Sequence, residues 1–236
     1  DQHVFFKYMV KTIAEKYGLR ATFMPKPFVH LTGNGCHVHV SFWDREGKKN
    51  LFYDRKGELG MSKLAYKFLG GILNSASTLC AIWNPTVNSY KRLNAPVTLS
   101  GATWSPDSIT FGGNNRSTMV RIPDAGRFEF RLMDGSANPY LLQAAILVAG
   151  LDGIKNNRVP GKRVDLDMYT EGHKVKGVKK LPHNLLDALR LMEKDKIVRE
   201  GFGDSFTKSY VKLKMDSWND YTRSLTQWER DNTLDC

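Results

Sequence analysis

The stretch from Lys26 to Ser41 places two histidines and a hydroxyl at every second position: His37, His39 and Ser41. Successive side chains of a strand point to opposite faces, so these three share one face and the two intervening valines lie on the other. Imidazoles and a hydroxyl that follow a loop containing two glycines are typical of a ligand site built on a rigid element. Their spacing alone would make both histidines metal ligands.

A second alternating run places Arg127, Glu129 and Arg131 on one strand face and two phenylalanines on the other, with Arg116 and Arg121 just upstream. A solvated sheet face with cross-strand ion pairs is one interpretation. The density of arginine favours a cleft for anionic ligands, because guanidinium groups bind carboxylate and phosphate bidentately. The glutamate could pair with an arginine or serve as a hard ligand for Mg²⁺. A polar segment that ends at Arg92 would add one more arginine to this cleft.

Composition sets the wider bounds. A chain of 236 residues with 41% apolar residues is long enough for one large domain, and it has no apolar run of 18 residues that would predict a membrane span. We recognise no signal peptide, and the start at Asp1 predicts that further residues precede this chain in the full protein. The odd, widely spaced cysteines Cys36, Cys80 and Cys236 favour reduced thiols and a cytoplasmic protein.

The formal charge is +11, and much of the excess of basic residues lies in a basic loop, residues 155–180. A positive charge of this size indicates solubility, binding to nucleic acid, or binding of small anionic substrates such as phosphates. Nucleic acid is disfavoured, because Tyr169 is the one aromatic residue in the loop that could stack on a base and no nucleic-acid motif is recognised.

Apolar spacing predicts an α+β fold, an antiparallel sheet with helices on one side. Helices are predicted near residues 4–13, 61–83, 139–151, 184–192 and 205–228, and strands at 20–24, 36–43, 108–111, 117–122 and 127–132. The last two strands flank a tight turn at residues 123–126 and predict a hairpin. Residues 51–53 would return as a hairpin partner of the strand at 36–43, and Gly70-Gly71 marks close packing or a bend. Residues 86–115 are expected to be rich in loops, with one turn at residues 104–107.

Several longer motifs follow one another along the chain. They are Lys26-Pro27-Phe28, Thr32-Gly33-Asn34-Gly35-Cys36-His37 with Ser41, Asn84-Pro85-Thr86, Asn88-Ser89-Tyr90-Lys91-Arg92-Leu93, Asn115-Arg116-Ser117, Arg121-Ile122-Pro123, Arg127-Phe128-Glu129-Phe130-Arg131, Asn138-Pro139-Tyr140 and Ala149-Gly150-Leu151-Asp152-Gly153-Ile154. Together they resemble the glutamine synthetase family over at least residues 17–155, and the first two resemble its ATP-binding signature. Many motifs in order are far more specific than one short match. The resemblance implies a curved antiparallel sheet with flanking helices, of that family's catalytic-domain type, over residues 1–236.

The resemblance implies a reaction in which ATP activates glutamate as γ-glutamyl phosphate, which ammonia or an amine then captures. It assigns roles to ten residues: His37 and Glu129 as ligands of Mg²⁺ or Mn²⁺; Gly33, His39, Arg92 and Arg131 as glutamate contacts; Ser41, Arg116, Arg121 and Arg127 as ATP contacts; and Arg131, Arg116 and Arg92 as the catalytic arginines. Phosphoryl transfer by positioning and electrostatics is what an arginine-lined cleft can supply. His30 is expected to be a surface residue.

The chain departs from the family pattern in three places. The strand domain that precedes the catalytic domain in that family, and the other metal-binding glutamates, are absent from this chain. Asn94 stands where the family has the flap glutamate that helps deprotonate ammonium, and an amide cannot be a general base; Asp107 is one candidate to replace it. The turn before Arg127 lacks the lysine that the family often has.

The leading hypothesis is the catalytic domain of a ligase that joins glutamate to ammonia or a small amine such as methylamine. Its partners would be ATP, glutamate and the amine, in a homo-oligomeric ring of the full-length protein, with no nucleic acid and no membrane. The alternative is a catalytically inactive relative that binds nucleotide or glutamate in a regulatory or structural role. The altered flap motivates this alternative, and the retained histidine, glutamate and arginines speak against it.

Overall fold

The computed structural model describes residues 1–96 and 105–235. In these residues the helices are α1 (Gln2–Lys16), α2 (Lys63–Trp83), α3 (Val87–Leu93), α4 (Pro139–Lys155), α5 (Leu185–Lys194), α6 (Lys196–Phe202), α7 (Asp204–Arg223) and α8 (Gln227–Thr233). The strands are β1 (Val38–Val40), β2 (Phe111–Gly112), β3 (Val120–Asp124) and β4 (Arg127–Phe130). Two thiols that were expected to be reduced, Cys36 and Cys80, are free. Cys236 and Trp104 of the predicted turn lie outside the described residues.

The four strands form one sheet in the order β1-β4-β3-β2. β4 pairs antiparallel with β3, as the sequence predicts, and also with β1, whereas the two-residue β2 pairs parallel with β3. The α+β fold class is confirmed. The sheet is mixed and not purely antiparallel, because the loop at residues 113–119 returns the chain to the end of the sheet at which β2 began, so β3 runs in the same direction as β2. None of the helices in the described residues is long and apolar enough to cross a membrane.

The predicted hairpin at residues 117–132 is present as β3 and β4. Gly126 closes its turn with φ of +77°, a conformation that glycine adopts without a Cβ penalty. The register shifts between Arg121 and Asp124, where Pro123 has no N–H to donate to the ladder. Arg121 nevertheless stays opposite Glu129, so the irregularity leaves the charged row of the hairpin aligned.

One face of the sheet is the core. Phe128 and Phe130 are fully buried, and the ring of Phe130 packs edge-on against Trp83 at the end of α2 with 4.8 Å between centroids. α2 also crosses α4 closely: a Cβ added at Gly71 would lie 2.0 Å from the carbonyl oxygen of Ala149. The glycine pair in α2 therefore marks close packing, and the charged face of the sheet is left for a site.

Three local predictions differ from the structure. The run at residues 20–24 is not a strand, because its backbone faces a loop and no neighbouring strand: Asn34 donates its side-chain amide to the carbonyl of Met24 at 2.8 Å. Residues 51–53 return along the strand as expected, but only an isolated bridge between Trp43 and Asn50 forms. The loop predicted after the long helix contains α3, which begins in a capping box between Thr86 and Ser89.

Candidate functional site

Three neighbouring strands align the charged row of the site. β1 places His39 opposite Glu129 of β4, and β3 places Arg121 opposite the same glutamate from the other side. The valines that flank His39 pack against the core, so the imidazole is directed to the opposite face, as the alternation predicts. The two motifs that the sequence separates by some 90 residues therefore meet on adjacent strands.

Glu129 is the centre of the site. Its Oε1 lies 2.9 Å from Nδ1 of His37 and accepts a hydrogen bond of 3.2 Å from Arg131, while its Oε2 accepts one of 2.9 Å from Arg121. The residue is 5% exposed. Burial raises the pKa of its carboxyl, but the hydrogen bond from Arg121 and the charge of Arg131 outweigh burial, so the pKa lies below its ordinary value. Glu129 is therefore held as a carboxylate.

His37 is held in the neutral state. Burial and the positive charge of Arg131 lower the pKa of its imidazole, and Glu129 opposes that shift only in part. A neutral imidazole keeps a lone pair for a metal, and the adjacent carboxylate supplies a second donor. The structure thus brings together the two residues that the sequence predicts as metal ligands.

The spacing of this pair fits a divalent cation. Adjacent ligands of an octahedral Mg²⁺ lie about 3 Å apart, because each is about 2.1 Å from the ion and at right angles to the next. Nδ1 of His37 and Oε1 of Glu129 are 2.9 Å apart. No group of three or more His, Cys, Asp or Glu side chains that could hold a metal occurs in residues 1–96 and 105–235.

Arg92 is placed by α3 and is 4% exposed. Its Nη1 donates to the carbonyl of Leu132 at 2.9 Å and its Nη2 to the carbonyl of Arg131 at 3.4 Å. Two of its five N–H donors therefore hold the chain just after β4. The guanidinium joins the end of β4 to α3, and through that contact it helps to position Arg131.

The glycine loop is fixed to α3 and to the preceding proline. The side chain of Asn88 in α3 accepts from the backbone N–H of Lys26 at 2.7 Å and donates to the Lys26 carbonyl at 3.0 Å. A Cβ at Gly33 would lie 2.1 Å from the carbonyl oxygen of Pro25, so this close approach of two backbones requires glycine. The loop that carries the predicted glutamate contact Gly33 is thus rigid at both ends.

The remaining predicted contacts lie on the exposed side of the row. Nδ1 of His39 is 2.5 Å from a guanidinium nitrogen of Arg127, which also pairs with Asp124. His39 therefore faces an arginine in this structure. The exposed hydroxyl of Ser41 accepts a hydrogen bond of 3.1 Å from the indole of Trp43.

Arg116 is exposed and forms no ion pair within the described ranges 1–96 and 105–235. Its loop is held by Asn115, whose side-chain oxygen accepts from the backbone N–H of Ser117 at 2.9 Å. The amide of Asn115 in turn donates to the carbonyl of Leu166 at 2.8 Å, in the basic loop. The arginine that the sequence assigns to ATP is thus carried on a fixed loop with its cation available.

Asn94, at the flap position, and Asp107, the candidate to replace the flap glutamate, are both constrained by their partners. The amide of Asn94 donates to the carbonyl of His183 at 2.8 Å. Asp107 pairs with Lys180. Burial raises the pKa of Asp107, but hydrogen bonds from Lys180 and Ser108 outweigh it and the pKa is lowered, which makes this carboxylate a weak base.

Sequence reasoning missed two residues near the site, the buried Asp134 and the exposed Tyr169. Asp134 is fully buried and accepts from the side-chain amide of Asn84 at 2.9 Å, and its charge counteracts the effect of burial on the pKa of Arg92. Tyr169, from the basic loop, donates to the carbonyl of Ser105 at 3.3 Å. Asn84 follows a helix in a recognised motif and could have been found, whereas the sequence marks Tyr169 only as an aromatic residue that could stack on a base.

Residues 1–233 match the family described as glutamine synthetase, catalytic domain. The chain is 58% identical to a glutamine synthetase of Rhizobium meliloti, over all of this chain and 54% of that protein. It is 44% identical to a glutamate–methylamine ligase of Methyloversatilis universalis, again over all of this chain and 53% of that protein.

Two solved structures are similar over the whole chain. One is a complex of a protein named GmaS with ADP, with 61% identity, a TM-score of 0.93 and 54% of that chain covered. The other is GmaS without ligand, with 58% identity, a TM-score of 0.91 and 53% covered. The chain therefore spans about half the length of the relatives that it matches.

Proposed function

The chain belongs to the glutamine synthetase catalytic-domain family, and from that premise we propose that it carries part of the active site of an ATP-dependent ligase that joins glutamate to ammonia or a small amine. The observation that carries the proposal is the pairing of His37 with Glu129 inside a row of arginines. A neutral imidazole and a carboxylate beside several cations suit a metal-bound nucleotide phosphate. The relatives named as ligases, and the relative with ADP, support the same reaction class.

In the proposed reaction the γ-carboxylate of glutamate attacks the γ-phosphorus of ATP. A bond forms between that oxygen and phosphorus, the bond to the bridging oxygen breaks, and ADP leaves. The amine nitrogen then attacks the acyl carbon, inorganic phosphate leaves, and the nitrogen gives up a proton. Both steps place negative charge on phosphoryl oxygens, which fixed guanidinium groups stabilise.

The residues of this chain would divide that work. His37 and Glu129 would hold Mg²⁺ or Mn²⁺, which when bound neutralises phosphate charge. Arg116, Arg121 and Arg127 would contact the phosphates, and Ser41 would lie beside the adenine. Gly33, His39, Arg92 and Arg131 would contact glutamate, with Arg131 nearest the transferring group; the two carbonyls that hold Arg92 leave it three donors for a carboxylate.

The choice between ammonia and methylamine is tested by turnover. We expect the full-length protein to release ADP with glutamate, Mg²⁺ and one member of a panel of ammonia, methylamine and ethylamine. The lack of a flap glutamate at Asn94 and the similarity to a glutamate–methylamine ligase favour methylamine. Turnover with ammonia alone would remove the amine version, and no turnover with any amine would support the inactive relative.

The site assignment has an independent test. Nucleotide binding that depends on Mg²⁺ should be lost in Glu129→Ala and retained in Glu171→Ala, a matched control whose carboxylate pairs with Lys174 in the basic loop. Binding is measured calorimetrically with ADP, with and without Mg²⁺. Unchanged binding in Glu129→Ala would show that the metal assignment is wrong.

The proposal extends to the assembly of the full-length protein. The family resemblance implies rings in which neighbouring subunits share each site, and the pair of His37 and Glu129 would fit a site to which further groups contribute donors. We expect a homo-oligomeric ring for the full-length protein. Sedimentation of the full-length protein as a monomer with full activity would contradict this.

A further inference from the structure

Residues of the basic loop line most of a cavity that is open to solvent, and the lining includes none of the predicted site residues. Its volume is about 1010 Å³, and its walls are residues 156–166 and 174–179 of the loop together with residues 109–111 and part of α2. From this cavity we infer a binding site for a small organic polyanion, with an apolar body and two or more anionic groups. The inference does not rest on the proposed function.

The charge in the cavity is unbalanced. Six basic side chains and a single carboxylate, Asp165, line it. Three of the six have acidic partners: Arg158 pairs with Asp152, Arg163 with Glu58 and Asp165, and Lys174 with Glu171.

The other three are the unpaired lysines, Lys162, Lys176 and Lys179. None of them forms an ion pair or a side-chain hydrogen bond with any residue in the described part of the chain. Three ammonium groups around one cavity repel one another, and a bound anion removes that repulsion. The charge of the ligand follows from this: at least two anionic groups are needed to meet three cations.

The floor of the cavity is apolar. Leu73, Phe111 and Val164 form its base, and the side chains of Val159 and Leu166 also line it and are 82% and 40% exposed. An apolar floor beneath a polar rim is the usual character of a small-molecule site. The inorganic anions lack a surface that could bury this floor, and this is why the ligand is assigned an organic body.

The cavity is preformed. One wall is attached where the backbone N–H of Val164 donates to the carbonyl of Phe111 at 2.9 Å, and the other where the N–H of Ile109 donates to the carbonyl of Lys179 at 2.9 Å. The loop also approaches α2 so closely that a Cβ at Gly70 would lie 2.7 Å from the carbonyl oxygen of Arg158. Both walls are therefore bonded to one backbone run, so the ligand does not have to order them.

The test measures binding of 8-hydroxypyrene-1,3,6-trisulfonate, a fluorescent trianion with a flat apolar body, to the full-length protein by anisotropy. The triple variant Lys162→Gln, Lys176→Gln, Lys179→Gln should bind it about tenfold more weakly, because three partly exposed ion pairs together amount to about a factor of ten. The matched control is Lys194→Gln, Lys196→Gln, Lys212→Gln, which removes the same charge from exposed lysines outside the cavity. Its affinity should stay within about twofold of the parent.

Three outcomes would overturn the inference. Equal losses in both triple variants would mean that net charge and not this cavity attracts the anion. If inorganic pyrophosphate displaced the probe as strongly as pyrene-1,3,6-trisulfonate does, which is the probe without its hydroxyl group, the apolar floor would add nothing to the affinity. Tighter binding of a single-stranded oligonucleotide through the same lysines, with a steep dependence on salt, would assign the cavity to a nucleic acid.

Discussion

Two regions of this molecule are rich in cations, and they use them differently. On the sheet, Arg121 and Arg131 converge on the buried carboxylate of Glu129, which the neutral His37 also contacts. In the basic loop, the cations are exposed, and the unpaired lysines have no acidic partner in the described residues. Sequence composition counts both regions equally toward the formal charge. The difference teaches that rigid strands hold charges for one defined geometry, whereas a loop at the surface leaves charge available to solvent and ligands.

The largest expected effect comes from removing the acceptor at the centre of the sheet cluster. Glu129→Ala should lower the free energy of unfolding by about 3 kcal/mol, because it removes the buried carboxylate that accepts charged hydrogen bonds from Arg121 and Arg131. Urea denaturation of the full-length protein measures this. Glu171→Ala in the basic loop should leave the urea midpoint unchanged, since water replaces its exposed contact with Lys174. Equal shifts in the two variants would remove the distinction between the regions.

An arginine from each region sharpens the comparison. Arg121→Ala should destabilise by about 2 kcal/mol, since its side chain is 16% exposed and makes a charged hydrogen bond to Glu129. Arg163→Ala removes solvated ion pairs with Glu58 and Asp165. The destabilisation that it causes should disappear in 0.5 M KCl, because salt already screens exposed charges at about 0.1 M. Thermal unfolding at low and high salt distinguishes the two. A strong salt dependence for Arg121→Ala would contradict the burial argument.

The smallest effect concerns the ion pair that anchors the end of the basic loop. The folded-state pKa of Asp107 lies below its ordinary value of 3.8, so the carboxylate adds stability above that pH, and the contribution is lost as the pH falls through the folded pKa. Asp107 is half exposed, so solvent screening keeps this contribution below about 1 kcal/mol. Asp107→Asn should flatten the decline in stability between pH 5 and 3, since the ordinary pKa of Asp lies in that interval. An unchanged pH profile would mean that the contact with Lys180 does not stabilise the fold.

The fold could be predicted wherever one local pattern decided the structure. The hairpin of β3 and β4 follows from its alternation and turn, and α4 follows from Asn138 and Pro139, because the asparagine side chain accepts from the first backbone N–H groups. The prediction of a strand at residues 20–24 was wrong, because a strand needs a neighbouring strand and no pattern within five residues indicates whether one is present. The capping box of Thr86 and Ser89 is a local signal, and it predicts the start of α3 from the sequence alone.

By itself the sequence determined which side chains share a face: alternation separates the histidines and the Arg127–Arg131 row from the phenylalanines and valines, because a strand has a period of two. Only the tertiary structure decided that His37 meets Glu129, since strand order and register join residues far apart in the chain. The structure also decided that Arg92 holds two backbone carbonyls and that Asn94 bonds to His183. Composition revealed that the basic loop is cationic, but only its packing on residues 109–111 leaves three lysines around an apolar cavity.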